Sequence, residues 1–163
     1  MKSKLVLPIL ILLFGVSTIF GQEESPIPSK RIFKNQIGLA AGFSTGFGIS
    51  YKRTEGKFGM QVVFSPFVTK RSSTVSAGLT FMYKFYEARY SSLYVYEANH
   101  FYHTATKYIG SLNSSKTSMI NGIGVGLELL ITERVALNLM GGYASYDAKV
   151  FSGTAELGLF YKF

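Results

Sequence analysis

The sequence NGIGVGLELLI, which spans residues 121–131, alternates between large and small side chains. One face would carry Ile123, Val125, Leu127, Leu129 and Ile131, and the other Gly122, Gly124, Gly126, Glu128 and Leu130. A period of two is that of a β-strand, whose successive side chains point to opposite faces. The three glycines would also destabilise a helix at this place. The stretch therefore predicts a strand with one bulky, apolar face and one small face.

The same alternation recurs along the chain and predicts eight strands. They span residues 36–44, 46–54, 57–67, 73–86, 90–101, 119–131, 134–145 and 151–163. The segment 90–101 has the weakest pattern, because Leu93 and Val95 share a face with Glu97, and its phase stays open. Short polar segments at 53–57 and 132–134 are typical of tight turns, whereas the long polar stretch 99–118 predicts a loop. The chain is therefore expected to be an all-β protein of antiparallel strands.

The N-terminus has the order of a secretory signal peptide. Lys2 and Lys4 precede an apolar run over residues 5–14, and polar residues follow from Gln22 onward. The run is shorter than the roughly 20 residues that a transmembrane helix needs. We expect cleavage after Gly21, which gives a signal peptide 1–21, an extended lead-in 22–35 and a barrel domain 36–163. An uncleaved membrane anchor is the alternative.

The two faces of the strands differ in bulk, and this bears on which face lies inside. A soluble barrel buries its apolar face, whereas a membrane barrel turns that face outward to the lipid. An eight-stranded barrel has a narrow interior, which suits the small faces of these strands. The aromatic residues also gather at the strand ends, as two girdles at a bilayer would require. One girdle would contain Phe43, Phe47, Phe64, Phe67, Tyr143 and Phe151, and the other Tyr51, Tyr83, Phe85, Tyr161 and Phe163.

The last eight residues, ELGLFYKF, carry the strongest single signal. Glu156, Gly158, Tyr161 and Phe163 match a pattern that resembles the C-terminal assembly signal of bacterial outer-membrane barrels. Over about residues 36–163 the chain resembles the small eight-stranded outer-membrane barrels of the OmpA/OmpX type. The resemblance implies an antiparallel up-and-down transmembrane β-barrel in a Gram-negative outer membrane, folded by the barrel-assembly machinery and monomeric. It implies fold and location, and no specific activity.

Five charged residues are expected in or near the lumen of such a barrel. The alternation points Lys52, Lys84, Glu128 and Glu156 inward, and Lys162 lies near the inner mouth. Charges in a narrow lumen must be paired or hydrated. We therefore predict a network that joins Glu128 and Glu156 to Lys84 or Lys52 and plugs the barrel. An ion path or gate is the alternative interpretation.

Composition excludes several other classes of protein. The chain of 163 residues contains no cysteine, which excludes a disulfide scaffold, a thiolate zinc site and a cysteine nucleophile. Two histidines leave little for a metal site, so no metal or cofactor is expected. The motif Gly122-x-Gly124-x-Gly126 lacks the helix of a nucleotide-binding loop. The net charge of +8 points to outer-membrane lipid and lipopolysaccharide rather than nucleic acid. The basic residues of the expected outer loops are Lys70, Arg71, Lys107, Lys116 and Lys149.

The expected role is non-catalytic: envelope structure, surface binding through the segment 99–118, or narrow, porin-like passage of small solutes. A lipid A-modifying enzyme of the deacylase type is one alternative. Glu97, His100 and His103 with Ser111 or Ser114 would supply a nucleophile and its base, although their spacing matches no known motif. A soluble exported barrel that binds an apolar ligand is the other alternative.

Overall fold

The computed structural model describes residues 33–68, 72–106, 114–148 and 150–163. The predicted signal peptide and all but the last three residues of the lead-in lie outside these residues. The described part contains eight strands, which confirms the prediction. They are β1 (Asn35–Gly42), β2 (Gly46–Glu55), β3 (Phe58–Val68), β4 (Ser72–Glu87), β5 (Ser91–Thr106), β6 (Ser114–Leu130), β7 (Val135–Tyr146) and β8 (Val150–Lys162). Within these residues there is no helix long and apolar enough to span a membrane.

The strands form one closed barrel in which each strand is antiparallel to its neighbours in the chain. The closing pair is β1 with β8, and its register runs from Gln36 opposite Lys162 to Gly42 opposite Glu156. Closure satisfies every strand edge, as the interior of a bilayer requires. We call the end with the β2–β3, β4–β5 and β6–β7 turns the inner end, and the opposite end the outer end.

The long loop predicted over residues 99–118 is mostly strand, so that prediction is wrong. The paired ladder of β5 and β6 continues to Thr106 opposite Ser114. Apolar alternation fades there because a backbone ladder does not require an apolar face, and polar side chains of β5 contact both neighbouring strands instead. Thr74 and Thr104 lie 3.2 Å apart through their hydroxyl oxygens, and His103 Nδ1 lies 2.8 Å from Thr117 Oγ1.

The apolar faces of the strands point away from the barrel interior. Leu39, Ile123 and Tyr143 are 66%, 66% and 72% exposed, whereas polar residues such as Ser50 and Asn138 are buried inside. The burial of side chains also shows which residues of 90–101 share a face, which the sequence left open. Tyr94 and Tyr96 point inward, and Leu93, Val95 and Glu97 point outward. A soluble barrel that binds an apolar ligand would need the opposite arrangement.

Side chains fill the lumen. Tyr94 and Tyr96 pack with Met82, Ala98 and Met140. The ring of Tyr94 occupies the place that a Cβ on Gly126 would take, which explains a glycine in the middle of β6. Two cavities between the side chains of the lumen have volumes of about 10 Å³ each, which is room for about one water molecule.

Candidate functional site

A carboxylate held between two ammonium groups crosses the inner half of the lumen. Glu128 on β6 contacts Lys52 on β2 through Oε2 and Lys162 on β8 through Oε1, each at 2.5 Å. Gln36 Nε2 also donates to Glu128 Oε2 at 3.4 Å. Lys52 and Glu128 are almost completely buried. We call Gln36, Lys52, Glu128 and Lys162 the inner charge cluster; its ion pairs tie three separate strands together across the interior.

The surroundings of Lys52 explain how an ammonium group is tolerated inside the barrel. Its neighbours Tyr51 and Arg53 point outward, so the alternation of β2 turns Lys52 inward. Its Nζ lies 4.9 Å from the centre of the Phe160 ring and 5.9 Å from that of Tyr94. Aromatic faces attract a cation at such distances. The carboxylate and the two rings together replace the water that Lys52 loses.

The inner charge cluster differs from the network predicted from the sequence. Lys52 and Glu128 meet, but the second cation is Lys162 rather than Lys84, which forms no ion pair among the described residues. Glu156 lies outside the cluster, because it stands beside Gly42 at the outer end of β1. Glu156 Oε1 instead accepts hydrogen bonds from the hydroxyls of Ser44 and, at 3.3 Å, Tyr96.

The β1–β2 turn folds into the outer mouth of the lumen. Although they lie in a turn, Ser44 and Thr45 are only 0% and 1% exposed. The Thr45 carbonyl oxygen occupies the place that a Cβ would take on Gly78 of β4, and the Ser44 side chain does the same at Gly122 of β6. We call residues 43–46 the plug turn; it reaches from one wall to strands on the far side.

Two inward side chains hold the plug turn. Glu156 accepts a hydrogen bond from the Ser44 hydroxyl, and His100 Nδ1 lies 3.1 Å from the Phe43 carbonyl oxygen. Because a carbonyl can only accept, Nδ1 carries a proton. The other ring nitrogen, Nε2, lies 2.8 Å from Ser76 Oγ, so a neutral imidazole accepts a hydrogen bond from that hydroxyl. His100 therefore links β4, β5 and the plug turn.

Among the residues proposed for an enzyme, those whose side chains the structure describes do not form one site. Glu97 faces outward, where its Oε1 accepts from Asn99 at 2.6 Å, whereas His100 is buried in the lumen. Ser111 lies outside the described residues, as does the side chain of Ser114. The serine that contacts His100 is Ser76, which was not predicted. This pair is buried, and the second ring nitrogen of His100 contacts a backbone carbonyl, whereas the histidine of a catalytic triad contacts a carboxylate. No group of three metal-ligating side chains occurs in the described part of the chain.

The aromatic and C-terminal positions are divided between the two faces. Phe43, Tyr51, Phe64, Tyr83, Phe85, Tyr143 and Phe151 are exposed on the outside of the barrel, and the side chain of Phe67 lies outside the described part of the chain. Phe47 is half-buried and meets the His100 ring edge-on, with ring centres 6.5 Å apart. On β8, Glu156 and Gly158 are buried inside, whereas Tyr161 and Phe163 are exposed.

No protein-family model matches the chain, and no curated protein matches it in sequence. Several solved structures share its fold, and three of them each align with 79% of this chain. The N-terminal β-barrel domain of Pseudomonas aeruginosa OprF is 17% identical, with a TM-score of 0.56 and 95% of that chain covered. Neisserial surface protein A is 18% identical, with a TM-score of 0.51 and 94% covered. Ail, the attachment invasion locus protein of Yersinia pestis, is 19% identical, with a TM-score of 0.52 and 96% covered. At these identities the comparison shows the barrel fold.

Proposed function

We propose that this protein is an integral outer-membrane barrel, closed to solutes, with a structural and surface-binding role rather than a catalytic one. The apolar outer wall of the closed barrel carries the proposal. Such a wall is unfavourable in water, where each Å² of apolar surface costs about 25 cal/mol, and is the expected surface in hydrocarbon. The C-terminal pattern supports assembly by the barrel-assembly machinery. The fold shared with OprF, Neisserial surface protein A and Ail supports the outer membrane as its location.

The filled lumen favours a closed barrel over a pore. The inner charge cluster crosses the interior near one end, and the plug turn occupies the other. A structural role is further supported by the opposite faces of Glu97 and His100 and by the contact of His103 with Thr117, so no catalytic group is assembled among the described residues.

Membrane fractionation of cells that produce the full chain tests this function. We expect the protein in the outer-membrane fraction, with faster migration on a detergent gel before heating than after it. Purified protein in planar bilayers is expected to give no stable, large channels, because both ends of the lumen are filled. Recovery of a soluble, heat-insensitive protein would contradict the membrane placement, and large steady conductance would contradict the closed lumen.

The outer end offers a surface for an anionic partner, for which we propose lipopolysaccharide. Strands β4, β5 and β6 contain 16, 16 and 17 residues against 8 in β1, so they extend furthest at this end. Lys116 is exposed on this extension. Lys70, Arg71, Lys107 and Lys149 lie outside the described residues, in the adjoining connections. Ail has been solved in complex with the heparin analogue sucrose octasulfate, which makes a polyanion a reasonable ligand class for this fold.

A salt titration of lipopolysaccharide binding tests this partner. We expect the affinity of the purified barrel to fall several-fold between low salt and about 0.5 M salt, because exposed charges are screened. Lys116→Ala combined with Lys107→Ala is expected to weaken binding, and Lys57→Ala at the inner end serves as the control. Binding that ignores both salt and the outer lysines would argue against an electrostatic surface.

A further inference from the structure

One region of the apolar outer wall carries polar side chains. Glu97 points outward on β5 between Val95 and Phe101, both of which are exposed. Its cross-strand neighbours are Phe81 on β4 and Ile123 on β6, which are exposed apolar residues as well. In a bilayer this carboxylate therefore lies within the apolar band.

Two amides adjoin Glu97 on the same face. Asn99 of β5 lies directly opposite Asn121 of β6 in the strand register. We call Glu97, Asn99 and Asn121 the lateral polar patch. Elsewhere the outward positions of the spanning segments are overwhelmingly apolar. They include Ile37, Leu39, Ile49, Val62, Leu157 and Leu159.

The patch does not satisfy its own hydrogen-bonding groups. Asn99 Nδ2 donates to Glu97 Oε1 at 2.6 Å. Among the described residues, the second oxygen of Glu97 and the whole side-chain amide of Asn121 have no hydrogen-bond partner. Polar groups without partners are costly in hydrocarbon, where water cannot replace the missing bond. Polar side chains at such depths normally face another protein surface.

The wall next to the patch has both a ridge and a hollow. Ile123 and Tyr143 form the ridge and are 66% and 72% exposed. Gly141, Gly153 and Ala155 face outward beside them, in register on β7 and β8. A Cβ on Gly141 or Gly153 would approach only backbone oxygens, at 3.8 and 4.0 Å, so packing within one barrel does not require these glycines. Small residues at such positions let a second backbone come close.

We propose that the wall formed by β5 to β8 is a lateral interface between two copies of this chain, in place of the monomer that we expected from the sequence. The inference rests on the membrane placement proposed above. A two-fold axis brings one surface against itself, so that surface must be self-complementary. The patch supplies amide donors and carboxylate acceptors, and the same wall supplies the ridge and the hollow that receives it. A purely cationic partner would match Glu97 but leave the amides of Asn99 and Asn121 unmatched.

Single-cysteine cross-linking in outer membranes tests the interface, because the natural chain contains no cysteine. Ile123→Cys places a thiol on the proposed interface, and Leu39→Cys on β1 is the matched control, since both native residues are 66% exposed. With a short bis-maleimide reagent we expect about tenfold more dimer from Ile123→Cys, because a two-fold interface on this wall brings the thiols of the two copies close together. Mass spectrometry of the cross-linked band is expected to detect this protein alone.

A second variant tests the role of the polar patch. Glu97→Leu and Asn121→Leu are added to Ile123→Cys, and we expect the dimer yield to fall about fivefold or more, because the bonds across the axis are lost. All three positions face outward, so heat-modifiable migration should be retained and reports that the barrel has folded. An undiminished yield in a folded variant would overturn the proposal.

The remaining outcomes are equally decisive. Equal yields from Ile123→Cys and Leu39→Cys would mean crowding alone and would overturn the interface. Cross-linking to a different protein would overturn the second copy as the occupant. Absence of the protein from the outer membrane would refute the proposed function itself, whereas a membrane-inserted barrel without dimer would refute only this inference.

Discussion

Replacement of Glu128 by alanine is expected to lower the free energy of unfolding by about 3–5 kcal/mol. Glu128 is the only carboxylate that contacts Lys52 and Lys162 among the described residues. Its removal leaves two ammonium groups in the lumen without a counter-ion, and Lys52 is almost fully buried. Urea unfolding in lipid vesicles, followed by the loss of the fast-migrating gel band, measures the change.

Glu55→Ala is the matched control for this prediction. The Lys34–Glu55 pair has the same distance of 2.5 Å as the pairs of Glu128, but its side chains are 49% and 60% exposed. An exposed pair contributes about 0–1 kcal/mol, because water solvates both charges once they part. Equal losses in the two variants would show that burial does not set the strength of the inner charge cluster.

Replacement of Gly78 by alanine is expected to drive the plug turn out of the lumen. The new Cβ would take the place of the Thr45 carbonyl oxygen, which is backbone and cannot rotate away. Overpacking of this kind costs about 1–3 kcal/mol. Release of the turn would also break the hydrogen bonds from Ser44 to Glu156 and from His100 to Phe43.

Thiol labelling measures this displacement. In a Ser44→Cys background the thiol is expected to be protected, since residue 44 is 0% exposed in the natural chain. Added Gly78→Ala is expected to open it to a bulky, water-soluble maleimide. Gly141→Ala is the control, because its Cβ would meet only the Thr154 carbonyl oxygen at 3.8 Å. Continued protection of the thiol at position 44 in a folded Gly78→Ala variant would contradict the clash.

The strands and their faces could be predicted from the sequence, because a period of two determines which side chains share a face. The charges inside could be predicted for the same reason. Their partners could not, because alternation gives the face of a residue but not its height in a tilted barrel. Lys162 therefore came within reach of Glu128, whereas Glu156, six positions earlier on β8, stands near the outer end.

The plug turn was missed because polar residues in a short connection are typical of a solvent-exposed turn. Ser44 and Thr45 have the composition of such a turn and are buried nonetheless. A signal was present in the unusual shortness of this connection on the side of the longer loops. The inward glycines opposite the turn, Gly78 and Gly122, explain why it fits in the lumen, since a side chain at either position would exclude it.

The pairing of β1 with β8 has a consequence for the order in which the barrel assembles. It joins the regions of the barrel sequence that are furthest apart, from Gln36 opposite Lys162 to Gly42 opposite Glu156. Contacts of such long range carry the largest loop-closure entropy and make folding slow. Hairpins between neighbouring strands can form first. Until β1 pairs with β8, however, the sheet has two unpaired edges that can aggregate. The pairing of β1 with β8 is therefore the folding step that an assembly catalyst would accelerate most.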